Sequence, residues 1–150
     1  MLTKFLLPYP LKFVGLALFL PLALLLVLSG IYEFELSWLT WDGFRKDADG
    51  FNTPDENFTY EIAYVGTFLS LFLIAFSREK IEDEYIQKLR LDSLLLAFYL
   101  YTLISIVGTL VFYSFDYLVF MGYNMFSLQV FFILRFRWVL MNQQKSLLLV

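Results

Sequence analysis

The sequence predicts an all-α integral membrane protein: a four-transmembrane-helix bundle with N- and C-termini cytoplasmic and the third helix extended into the cytoplasm. Three observations predict it. The 150 residues are 60% hydrophobic, with 18 Phe and 10 Tyr, and the mean hydropathy is +0.70. A soluble domain is nearer half apolar, and a chain this short has too little interior to hide so many large side chains. Four segments, about one bilayer long each, contain no Lys, Arg, Asp or Glu. Finally, the basic residues divide very unequally between the segments that connect them.

The chain reads as one domain, residues 1–150. The first span is Phe13 to Tyr32, FVGLALFLPLALLLVLSGIY, flanked by Lys12 and Glu33. At 1.5 Å per residue its twenty residues cover a hydrocarbon core of about 30 Å. A signal peptide has a shorter apolar core and a small-residue cleavage site; here Leu28 occupies the −3 position for cleavage after Gly30. Pro21 is expected to kink the helix or to be accommodated by a neighbour. Ile62 to Ser77 is the shortest span and reaches about 24 Å, so its flanks must snorkel or the bilayer thin. Ser93 to Phe115 and Tyr117 to Leu134 complete the set, the last closed by Arg135 and Arg137.

With these spans, one side holds Lys4, Lys12, Arg78, Lys80, Lys88, Arg90, Arg135, Arg137 and Lys145, and the other holds Arg45 and Lys46 beside eight acids. The positive-inside rule then places both termini and the hairpin 78–92 in the cytoplasm and the loop 33–61 outside. A three-span chain would break that agreement. Trp38 and Trp41 fall near the outer interface and Trp138 near the inner one.

The densest charge cluster, SREKIEDEYIQKLRLDS, separates the second and third spans. It has no Gly or Pro, so helix three is expected to start around Glu82 and run to about Ser114, a rod of about 50 Å. Glu82, Asp83 and Glu84 would lie on its first turn, where the helix dipole favours acids. Glu84 and Lys88 have the favourable i, i+4 order. Ile81, Tyr85 and Leu89 recur every four residues on one face, with Ile86 nearby. The hairpin has two readings. One is a solvated turn that stops the spans sliding into lipid. The other is a docking surface for a cytoplasmic protein, with Ile81, Tyr85 and Leu89 as apolar anchors among Arg78, Glu82, Asp83, Glu84, Lys88 and Arg90; the same anchors could lie on the bilayer surface.

The stretch FSREKIEDEYIQKLRLDSL, with YNMF and FFILRFRWVL further on, resembles an uncharacterised family of small four-span membrane proteins from Bacteroidetes. The resemblance covers roughly residues 60–140. It implies a bacterial cytoplasmic (inner) membrane location and, by association with neighbouring regulators, a regulatory partner, and it supplies no activity for any residue.

Inside the membrane, Thr102, Ser105 and Thr109 share one face of helix three. Gly66 and Ser70 form a small-xxx-small pair on helix two, and Asn124, Ser127 and Gln129 lie on helix four. They read as interhelical glue, worth about 0.6 kcal/mol per hydrogen bond, or as a polar pocket or solute path. In the outer loop, Asp47, Asp49 and Gly50 evoke a calcium loop, but Phe51 stands where an oxygen ligand belongs. Asn57-Phe58-Thr59 fits a glycosylation sequon, and YEFELSWLTW reads as a short strand or an interfacial segment.

The chain contains no Cys and no His, which removes thiolate chemistry, disulfides, zinc-thiolate sites and the commonest general base. No ionisable group falls inside a span, as pumps usually require. Consecutive acids at Glu82–Glu84 point about 100° apart on a helix and cannot converge on one metal. The expectation is a non-enzymatic multi-pass membrane protein with no cofactor, no metal and no direct nucleic-acid contact. Its partners would be membrane lipid, a cytoplasmic protein and other subunits in a homo- or hetero-oligomer, and its role that of scaffold, sensor or regulatory partner. The alternative is a small transporter or channel subunit that works as an oligomer.

Overall fold

The computed structural model describes residues 6–41 and 56–148. Four helices, each long and apolar enough to cross a membrane, account for most of them. Helix α1 is Pro10–Tyr32, α2 is Thr59–Phe76, α3 is Glu84–Val111 and α4 is Ser114–Leu148.

α1 opens with Pro10 at its first turn, where the missing N–H costs nothing, and it runs unbroken past Pro21. It ends where Glu33 turns left-handed at φ 51°. The following segment makes a short 3-10 turn, Ser37–Leu39, and a two-residue strand, β1, Thr40–Trp41, paired antiparallel with β2, Glu56–Asn57. The stretch YEFELSWLTW is thus part turn and part strand. The sequon residues act as structural fasteners. The Asn57 Nδ2 donates to Leu36 O at 3.1 Å, its Oδ1 accepts from the Thr59 backbone N–H at 2.9 Å, and Leu36 N–H donates to Thr59 Oγ1 at 2.9 Å. These bonds fix the entry to α2, which includes Glu61 in its first turn. The eighteen residues of α2 reach about 27 Å, closer to bilayer thickness than the uncharged segment alone.

The helices pack in the order α1–α2–α4–α3. Small residues set the closest approach: a Cβ at Gly15 would lie 2.9 Å from both Ser70 O and Leu73 Cβ, and one at Gly66 would lie 2.8 Å from Leu22 Cδ1. Packing between α2, α3 and α4 concentrates in one half of the bundle, where Ala75, Leu89, Ala97, Phe132 and Phe136 are buried together. Phe132 stacks on Phe76 and Phe136 with ring centroids 5.9 and 5.7 Å apart. Most other large apolar side chains face outward, the arrangement expected where lipid is the solvent.

Two boundaries differ from those expected. α3 starts at Glu84 rather than around Glu82, because Asp83 is its N-cap and accepts from Ile86 N–H at 2.9 Å. Only Glu84 of the three acids lies in its first turn. α3 also ends at Val111, earlier than the expected Phe115 or Ser114, and the chain reverses through Phe112 and Tyr113 into Ser114 at φ 57°. Asp116 therefore lies in the first turn of α4, where its charge suits the helix dipole, and not in the connection. α3 spans about 42 Å and α4 about 52 Å, so α4 is the longest helix.

Candidate functional site

The charged stretch folds into a braced turn at one end of the bundle. Its backbone is held by the segment before α1: Leu7 N–H donates to Phe76 O at 3.0 Å, and Arg78 N–H donates to Leu7 O at 2.9 Å. Glu79 receives two cations, Lys12 Nζ at 2.6 Å and Arg137 Nη1 at 4.0 Å. Its own backbone N–H donates to Glu82 Oε2 at 2.9 Å. Glu82 in turn meets Arg90, with Nη2 to Oε1 at 3.3 Å. The Arg90 guanidinium also donates to Ala75 O at 3.0 Å and Ser77 O at 3.3 Å, and it sits 4.8 Å from the centroid of the Phe136 ring.

The chemistry explains the arrangement. The last carbonyls of α2 have no partners within their own helix and carry the negative end of its dipole, and Arg90 reaches back from α3 to satisfy two acceptors there. The segment before α1, the α2–α3 turn and the later part of α4 consequently meet at the same end. Among the residues singled out in the sequence, Glu82 and Arg90 are inside this network, with side chains 10% and 11% exposed. Leu89 is in the hydrophobic core. Ile81 is 72% exposed and Tyr85 46%, and Arg78, Glu84 and Lys88 are exposed.

The expected stripe Ile81–Tyr85–Leu89 is therefore not one surface. Ile81 precedes the helix, so four-residue spacing does not align it with Tyr85, and Leu89 turns inward against α4. Of the three, Ile81 and Tyr85 remain exposed. Sequence reasoning missed Lys12, Glu79 and Arg137 as partners. Glu79 lies in the charged stretch itself, but Lys12 is 67 positions away and no local periodicity links them.

The intramembrane polar residues occupy two interfaces. Asn124 Nδ2 donates to Ser105 Oγ at 2.7 Å across α3 and α4, and Ser127 Oγ donates to Asn124 Oδ1 at 2.9 Å. Thr102 and Thr109 return their hydroxyls to the carbonyls of Phe98 and Ser105, each at 2.8 Å. Gly66 and Ser70 lie where α1 crosses α2, and the Ser70 hydroxyl donates to Thr67 O at 2.8 Å. Gln129 is buried, and its Oε1 accepts no hydrogen bond; the buried Ser93 Oγ is likewise unpartnered.

At the opposite end, α1, α2 and α4 enclose an open cleft of about 680 Å³. Tyr60, Glu61 and Tyr64 of α2 line it, with Gly30 of α1 and Gly122 and Tyr123 of α4. Tyr64 OH donates to Gly122 O at 2.6 Å, and its ring lies edge-on to Phe126 at 4.9 Å. A Cβ at Gly30 would lie 3.6 Å from Tyr123 OH and 3.8 Å from the Tyr60 ring. Nothing in the sequence-level pattern points to this site, because its tyrosines come from two helices and were indistinguishable from interfacial aromatics.

Among the described residues, no group of three or more carboxylates is placed to hold a metal ion; the candidate calcium residues Asp47, Asp49 and Gly50 lie outside the described residues. No family model, no curated protein and no solved structure matches the chain.

Proposed function

We propose that this chain is a non-enzymatic scaffold or regulatory subunit that presents its braced, charged end to a cytoplasmic protein. The observation that carries the proposal is the contrast at that end: the turn is tied to three other segments, yet Ile81 remains 72% exposed and Tyr85 46%. A rigid apolar display loses little conformational entropy on binding, which is the advantage of preorganisation. Lys80, Glu84 and Lys88 supply a charged rim around the anchors, as protein interfaces commonly do. Glu82, Leu89 and Arg90 act as the frame and make no direct contact. The distribution of basic residues supports a cytoplasmic orientation for this end, and the resemblance to small membrane proteins of Bacteroidetes supports the inner membrane as its location. Gentle detergent extraction of the wild type and of Ile81→Ser/Tyr85→Ser tests this. A cytoplasmic protein retained by the former and lost from the latter is the expected result; an identical set of co-purifying proteins refutes it.

A second reading, a subunit of a small oligomeric transporter or channel, draws support from the unpartnered Gln129 Oε1 and Ser93 Oγ. Buried polar groups normally have partners, and a site for water or solute would supply them. Under that reading Gln129→Leu changes solute flux in vesicles while the co-purifying proteins stay the same.

A further inference from the structure

The cleft between α1, α2 and α4 lies at the end opposite the braced turn and is independent of the partner surface. Its walls combine three features. Tyr60 and Tyr64 present rings with centroids 6.2 Å apart, and the second ring is fixed by its hydroxyl bond to Gly122 O and by the edge contact with Phe126. Glu61 brings a carboxylate to the same cleft and makes no ion pair among the described residues. Val65, Leu118 and Val119 contribute apolar side chains to the same lining.

Aromatic faces attract ammonium groups through their quadrupoles, most effectively where water is partly excluded, and a carboxylate adds a full counter-charge. Hard metal cations need six or more oxygen ligands or near-octahedral geometry, and one carboxylate with phenol hydroxyls does not supply them. The apolar lining suits an alkyl or aryl tail. A side chain longer than a methyl group at Gly30 would extend into the space beside Tyr60 and Tyr123, which lie 3.8 and 3.6 Å from a Cβ there.

We infer that this cleft binds the ammonium group of an amphipathic amine, with Glu61 as counter-ion, Tyr60, Tyr64 and Tyr123 as the cage, and Val65, Leu118 and Val119 against the tail. The cleft lies at the end of α1 and the start of α2, and the ammonium can belong to an aminolipid or to a free hydrophobic amine.

Two arms distinguish these sources. In the first, the protein is extracted with equimolar phosphatidylethanolamine and phosphatidylglycerol, and the retained lipids are counted by native mass spectrometry. In the second, nanodiscs of phosphatidylglycerol alone are titrated with benzyltrimethylammonium by calorimetry. Each arm compares the wild type with Glu61→Gln, Gly30→Leu and the distant control Asp92→Asn, exposed on α3, after circular dichroism has matched their helix contents. The expected result, in at least one arm, is binding that falls tenfold or more in both cleft variants and is unchanged in the control. Loss confined to the lipid arm identifies the headgroup as the source, and loss confined to the second arm identifies a free amine. Absence of binding in both arms overturns the inference, as does wild-type affinity in Glu61→Gln.

Discussion

Replacing Arg90 with Met removes the guanidinium while keeping most of the stem's volume. Three acceptors then lose a donor: Ala75 O, Ser77 O and the Glu82 carboxylate. Removing one partner of a buried ion pair costs about 3–5 kcal/mol, because the other charge is stranded. The two side chains are 11% and 10% exposed and lie at a helix end, so the lower limit applies, about 3 kcal/mol. Glu82→Gln leaves the Arg90 guanidinium without its counter-ion, but still hydrogen-bonded to Ala75 O and Ser77 O and within reach of the glutamine oxygen, so it should cost less than Arg90→Met, about 1–2 kcal/mol. In the double variant no unpaired carboxylate remains. Its cost should therefore fall below the sum of the single costs by about 1–2 kcal/mol, within the range for residues in direct contact. The assay is reversible unfolding in mixed micelles with increasing dodecyl sulfate, followed by tryptophan fluorescence. Strict additivity, or a cost for Arg90→Met under about 0.5 kcal/mol, would refute the view that this pair braces the turn.

Two further contrasts test the helix contacts in the same assay. Gly15→Ala should cost about 1–3 kcal/mol, since the new methyl group meets the Ser70 backbone oxygen, whereas Gly66→Ala meets only the tip of Leu22 and should cost less than about 1 kcal/mol. Equal costs would mean that α1 and α2 are not held at the observed separation. Asn124→Leu loses the bond to Ser105 and should destabilise by about 0.6 kcal/mol. Gln129→Leu removes a buried oxygen that accepts nothing and should be neutral or stabilising. The reverse order would contradict the assigned hydrogen bonds.

The four helices were legible because their signal is compositional: a long run without charges has few alternatives to lipid. Helix ends were less legible. The α3–α4 reversal uses no Gly or Pro; it depends on a left-handed Ser114, and Asp116, the charge that separates the two uncharged segments in the sequence, lies inside α4. The hairpin shows how a periodic argument depends on its starting point. Ile81, Tyr85 and Leu89 share a face only if the helix includes all three, and the Asp83 cap excludes Ile81. The bracing network was illegible for another reason. Lys12, Glu79 and Arg137 are brought together by packing of distant segments, and a sequence shows the inventory of charges but not their pairing. Type and spacing leave the small and polar intramembrane residues as either packing elements or the lining of a polar pocket. The structure adds a Ser105–Asn124 bond across α3 and α4 and a close approach of α1 to α2 at Gly15 and Gly66, neither of which a sequence displays.

The central claim is that the braced end faces the cytoplasm and the tyrosine-lined end faces outward. The chain has no native cysteine, so single cysteines can be introduced without background at Trp38, which is 76% exposed, and at Lys80, which is exposed on the braced turn. A membrane-impermeant maleimide applied to intact cells should label Trp38→Cys, and should label Lys80→Cys only after the membrane is opened. Labelling of Lys80→Cys in intact cells, with Trp38→Cys protected, would contradict the account.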